Sequence, residues 1–141
     1  MVGYIGVKQF GEIVEKVGID SLLRGLADRI EADFRRWPEF DKAPRYASHS
    51  PGGVIELMPT ADSETFACKY VNGHPGNPKI GLQTVAAFGI LADVATGYPM
   101  LIAEMTLLTA LRTAATSALA ARYLARPESR TMAMIGLGAQ S

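Results

Sequence analysis

The 141-residue sequence is poor in the residues that usually announce chemistry, with one cysteine, two histidines and no excess of either charge. The single cysteine, Cys68, excludes an intrachain disulfide and cannot by itself form a zinc site. That usage fits a reducing compartment, with Cys68 as an ordinary core residue. His49 and His74 stand at no metal-ligand spacing with another His, Cys or carboxylate pair. His74, in the loop NGHPGNPKIG, would order that loop or border a pocket, and neither histidine is assigned a catalytic role. Fourteen basic residues balance fourteen acidic ones, so nothing points to nucleic acid or to an anionic membrane, and small polar metabolites fit better. The start, MVGYIGVKQFGEIVEK, lacks the basic and apolar regions of a signal peptide. Asp93, Glu104 and Arg112 interrupt every apolar run long enough to span a bilayer. These absences predict a soluble, cytoplasmic protein.

What is present is enough for one domain with a real core, since 48% of the residues are hydrophobic. The pattern predicts a short strand over 4–7, a helix over 8–17 closed by Gly18, and a second helix capped by Asp20 or Ser21. In that second helix Leu22, Leu23, Leu26, Ile30 and Phe34 recur at half-buried spacing, the charged face is solvated, and Pro38 ends it. From Arg45 the period shifts towards two, predicting strands over 45–48, 53–59, 65–72, 84–94 and 98–105. The fold class is therefore α+β: N-terminal helices, a mostly antiparallel sheet and then a long helix.

That helix belongs to the stretch Glu104 to Ser141, around which the chain is organised. From Met105 to Ala121 its only charge is Arg112, in line with Leu108, Ala115 and Leu119 on an apolar stripe. An arginine there calls for an anionic partner: a bound carboxylate or phosphate held bidentately, or a structural ion pair with Glu104 or Glu56. After a break at Arg126–Ser129, a strand is expected over Thr131–Ile135. It runs into Gly136-Leu137-Gly138-Ala139-Gln140-Ser141, a G-x-G-x-x-S turn of the sort that sets a pyrophosphate on a helix N-terminus. The third position is serine rather than glycine, and no following helix is present. The chain thus reads as the N-terminal part of a longer enzyme, with one domain over 1–127 and the beginning of a dinucleotide-binding Rossmann domain over 128–141.

Two strand residues stand out. Glu56 is the single charge in Val54–Met58 and shares a face with Val54 and Met58. Buried there it would have the raised pKa of a general base; on an edge strand it would simply lie in water. Lys69 shares a face with Ala67 and Val71, and would bind a substrate carboxylate, transfer protons or snorkel to solvent from an edge. Arg45, after Pro44 at the opening of the first long strand, is a weaker candidate of the same kind.

Taken together, KYVNGHPGN at 69–77, the segment GLQTVAAFGILADVATGYPMLIAEMTLLTALRTAATSALAARYLARP at 81–127 and MAMIGLGAQS at 132–141 resemble the ornithine cyclodeaminase and mu-crystallin family. The resemblance covers nearly the whole chain. It implies an N-terminal domain that binds substrate and makes a homodimer through its sheet, followed by a Rossmann domain for NAD. It also implies conversion of L-ornithine, or a related small amino acid, by hydride removal and return, to L-proline and ammonia. Carried over residue by residue, Arg45, Lys69 and Arg112 match positions around the substrate carboxylate, with Arg112 also near the cofactor. Glu56 matches the acidic residue of proton transfer, Met58 lines the pocket, and Lys69 joins Glu56 as catalytic. Thr84 and the turn Gly136, Gly138, Ala139 and Gln140 match cofactor contacts. The family's aspartate beside the substrate amine belongs to the Rossmann domain, so no turnover is expected from residues 1–141 alone. Amino-acid dehydrogenases, ketimine reductases and non-enzymatic nicotinamide-dinucleotide binders of the same family are the alternatives.

Overall fold

The computed structural model describes residues 1–136, 138 and 139. Its elements are β1 (Gly3–Ile5), α1 (Val7–Val17), α2 (Ile19–Arg35), β2 (Tyr46–Ser50), β3 (Gly53–Ala61), β4 (Thr65–Gly73), β5 (Ala87–Asp93), β6 (Pro99–Glu104) and α3 (Thr106–Leu124). The α+β class holds. Gly18, at φ +81°, joins the first two helices without a linker. Its N–H donates to Val14 O at 2.9 Å, and its carbonyl accepts from Leu22 N at 3.0 Å. One glycine therefore caps both helices, which displaces the expected cap at Asp20 or Ser21 into the first turn of α2. There Asp20 meets the positive end of the helix dipole. Pro38 sits in a short 3-10 turn, Trp37–Glu39, that follows the end of α2.

The strands form one sheet in the order β1-β6-β5-β4-β3-β2. Every pairing is antiparallel except β1 with β6, where the N-terminal strand adds in parallel at the far edge. Consecutive strands β2 to β6 are neighbours, so β3, β4 and β5 are interior, and neither Glu56 nor Lys69 lies on an edge. Glu56 stands opposite Val71, Met58 opposite Lys69, and Lys69 opposite Gly89. Strand alternation thus gathers Glu56, Met58 and Lys69 on one face.

The start of α3 lies against that face. A Cβ at Gly89 would collide with Met105 Sδ, so glycine is required for the approach. Glu104 Oε1 accepts the N–H groups of Thr106 and, at 3.2 Å, Leu107, which satisfies the first turn of α3. Further along, Ala115 and Leu119 are buried against α2, whose Ala27 is buried in turn. The core is built mainly of small side chains. The opposite sheet face is open and apolar: Phe88 is 51% exposed, Leu57, Ile55 and Ile102 are all partly exposed, and Tyr70 stacks on Phe88 at 5.0 Å. Cys68 is only half-buried, on that open face rather than in the core.

After α3 a turn forms where the break was expected, with Ser129 N–H donating to Arg126 O at 3.0 Å. Residues 131–135 form no strand, and Met132, Met134 and Ile135 are exposed. A buried strand draws its hydrogen bonds from neighbouring strands, and none of the described residues pairs with this segment. Among the described residues no helix is long and apolar enough to cross a membrane.

Candidate active site

The chain from the end of α2 to β2 passes over the helix-covered face of the sheet and walls a cleft of about 550 Å³. Arg45 and Met58 line it from the sheet side, Arg112 from α3, and Trp37, Phe40 and Lys42 from the connecting segment. Three of the residues singled out in the sequence are thereby brought together. Glu56 joins them through Arg45, whose Nη1 lies 3.0 Å from Glu56 Oε1. The Glu56 side chain is 21% exposed and that of Arg45 61%, so the carboxylate is sheltered while much of the guanidinium stays open to a ligand.

Lys69 is half-buried on the interior strand β4, with no ion pair or hydrogen bond for its ammonium among the described residues. Its pKa is lowered first by burial, then by the positive charges of Arg112 and Arg45, with Glu56 opposing. A neutral amine is therefore more accessible here than on an ordinary surface lysine.

Arg112 is exposed rather than enclosed, although Ala115 and Leu119 on the same stripe are buried. The physical reason is the cleft itself, which opens over α3 at this height. Neither structural ion pair forms. Glu104 is committed to capping α3, and Glu56 to Arg45. Lys42, Arg45 and Arg112 line the cleft against one carboxylate, Asp33, and Lys69 and Glu56 stand close to the two arginines, which leaves an excess of positive charge suited to a small anion.

The structure does not bring every candidate here. Thr84 lies in the exposed loop before β5, outside the cleft lining, and its carbonyl accepts the His74 N–H at 2.9 Å. Gly136, Gly138 and Ala139 are exposed at the end of the described chain, and Gln140 lies outside the described residues. Gly136 has φ +94°, a turn conformation that glycine alone adopts readily. No group of three or more His, Cys, Asp or Glu residues suited to a metal occurs among the described residues.

Sequence reasoning missed the connecting segment, assigning nothing to the residues between Pro38 and Arg45. The available signal was the pair of aromatic residues, Trp37 and Phe40, on either side of Pro38-Glu39.

The family model for ornithine cyclodeaminase and mu-crystallin matches residues 8–141. The chain belongs to the ornithine cyclodeaminase/mu-crystallin family. Its sequence is 64% identical over all 141 residues to an ornithine cyclodeaminase of Agrobacterium tumefaciens (strain Ach5), of which it covers 40%. The chain thus spans about two-fifths of the length of such curated relatives. Among solved structures of the family, a lysine cyclodeaminase described as recognising L-lysine, L-ornithine and L-2,4-diaminobutyric acid superposes with a TM-score of 0.89 at 35% identity, covering 99% of this chain and 43% of that one. An archaeal alanine dehydrogenase dimer with bound NAD gives 0.80 at 31% identity, covering 99% and 42%. Proteins similar to this chain thus carry the names of cyclodeaminases and of an alanine dehydrogenase.

Proposed function

We propose that this chain carries the substrate-carboxylate side of an NAD-dependent ornithine cyclodeaminase site. The observation that carries the reading is that Arg45 and Arg112 line one cleft, with Glu56 paired to Arg45 and Lys69 within electrostatic reach of all three. The overall reaction takes L-ornithine to L-proline and ammonia: the α-nitrogen leaves, the side-chain nitrogen becomes the ring nitrogen, and there is no net redox change. NAD would be held by Gly136, Gly138, Ala139 and Gln140 together with Thr84 and Arg112, and when bound would supply hydride acceptance and return.

The remaining work falls to the chain's own side chains. Arg45 and Arg112 hold the α-carboxylate, and the ion pair fixes the acid end of the substrate against the sheet. Lys69, disfavoured as an ammonium, takes a proton from the substrate's α-ammonium and frees its nitrogen lone pair. Glu56 moves protons as the amine closes on the α-carbon and ammonia departs. Met58 supplies an apolar floor between the two. The open sheet face, with Leu57, Phe88 and Ile102, is the surface for homodimer formation.

The test joins residues 1–141 to the remainder of the Agrobacterium tumefaciens relative and follows ammonia and reduced nicotinamide together, with L-ornithine and NAD. Ammonia without accumulating reduced cofactor supports the cyclodeaminase reading. Equimolar reduced cofactor makes the protein an amino-acid dehydrogenase, and the absence of both across a panel of amino acids leaves a nicotinamide-dinucleotide binder. Glu56→Gln and Lys69→Met are expected to lower kcat about a hundredfold or more, the scale of losing a general acid-base group.

A further inference from the structure

The segment between α2 and β2 is built as a closed hook. At its start, Arg36 Nη2 donates to Asp62 Oδ2 at 2.6 Å, and its guanidinium stands 4.9 Å from the Phe40 ring centroid. At its end, Asp41 pairs with Ala61 through two main-chain hydrogen bonds of 2.7 and 3.1 Å, and Thr60 Oγ1 donates to Asp41 O at 3.0 Å. Asp41 stands opposite Ala61 and Tyr46 opposite Leu57, so the four residues Lys42–Arg45 face only three, Met58–Thr60. That extra residue makes the stretch leading to Arg45 bulge from the sheet, the usual way a strand re-aims a side chain. Pro44 contributes no N–H to hold it down.

One side chain closes the hook. Lys42 Nζ donates to Trp37 O and to Phe40 O, each at 2.7 Å, and lies 5.2 Å from the Trp37 ring centroid. Two of its three N–H donors and the face of its charge are thus committed within the hook, although the residue lines the cleft. Between Lys42 and Arg45 there are only Ala43 and Pro44, neither with a polar side-chain tether. The structure assigns Lys42 as a positioning residue: it locks the Trp37–Phe40 wall and thereby fixes where Arg45 meets the carboxylate of an amino-acid ligand. This assignment rests on the carboxylate reading of Arg45 given above, but not on the fate of the hydride.

Trp37 is the only tryptophan of the chain, so its fluorescence in residues 1–141 reports the hook directly. In Lys42→Met its emission should shift and its quenching by acrylamide should rise. The dissociation constant for L-ornithine, measured by calorimetry on the joined enzyme without NAD so that no turnover occurs, should rise about tenfold, the scale of one misplaced charge-assisted contact. Lys42→Arg, which can donate to both carbonyls and stack on Trp37, should restore both readouts. Affinity unchanged within about twofold in Lys42→Met, or a Lys42→Arg variant that recovers the fluorescence but not the affinity, overturns the assignment. An unsubstituted protein that binds L-ornithine but makes no proline ends the cyclodeaminase reading and leaves Lys42 still decided by the dissociation constants. A protein that binds no amino acid at all sinks both.

Discussion

Gly89 stands where sheet, lysine and helix meet, and its replacement by alanine tests that packing by sign as well as size. Gly89 is not among the glycines with positive φ, so its backbone suits any residue. On entropy alone, alanine should stabilise the chain by about 0.4–1 kcal/mol. The added Cβ, however, would collide with Met105 Sδ and come within 3.3 Å of Cys68 O. Met105 cannot withdraw freely: its N–H donates to Ala87 O at 2.9 Å, and the neighbouring Thr106 Oγ1 accepts the Ala87 N–H at 2.9 Å. The start of α3 would have to lift from β5. Overpacking of this kind costs about 1–3 kcal/mol, enough to reverse the entropic gain. Net of that gain the loss is up to about 2.6 kcal/mol, and at about 4 °C per kcal/mol for a domain of this size Tm should fall by up to about 10 °C in calorimetry of residues 1–141. The companion variant is Met105→Ala, in which Gly89→Ala should become neutral or stabilising. Equal effects of Gly89→Ala in both backgrounds, within about 0.5 kcal/mol, would refute the contact, as would a Gly89→Ala variant more stable than the parent.

Two further outcomes follow from charge. Lys69 has its pKa lowered on folding, so below that folded value the native state carries a cation it disfavours, and the penalty fades as pH rises towards the usual lysine value. Lys69→Met should therefore be more stable than the parent at neutral pH, with the difference shrinking as pH approaches about 10 in denaturant titrations; a difference that is constant with pH counts against the burial. Asp62 is lowered to about 2, first by the N–H groups of Thr65 and Glu64 and then by Arg36. Its contribution is complete above the unfolded carboxylate value of about 3.9 and is lost as pH falls through the folded value. Acid titration of the parent should thus show a loss of stability between about pH 4 and pH 2 that Asp62→Asn lacks, and parallel acid curves for the two would remove Asp62 from the account.

Much of the element order was legible because burial periodicity is local. Alternation in Val54–Met58, and the helical stripe of Leu22, Leu23, Leu26 and Ile30, record which face each segment buries. The caps were less legible, since Gly18 serves two helices only because the chain turns there without a linker. Exposure was the weakest inference. Arg112 sits on an apolar stripe yet is exposed, because whether a stripe is covered depends on how far the facing segment stands away. The expected strand over 131–135 shows the same dependence, because a strand exists by virtue of its neighbours.

The sequence alone determined the α+β class, the mostly antiparallel sheet and the family, and it singled out Arg45, Glu56, Met58, Lys69 and Arg112 as candidates. Only the tertiary structure decided that β3 and β4 are interior, which removed the edge-strand alternative for Glu56 and Lys69 and put both on a shared face. Only the fold, too, paired Glu56 with Arg45, committed Glu104 to capping α3 and folded Trp37, Phe40 and Lys42 over the cleft. Periodicity fixes what each segment hides along its own axis. The partners of a charge are set by contacts between segments far apart in sequence, which no local pattern encodes.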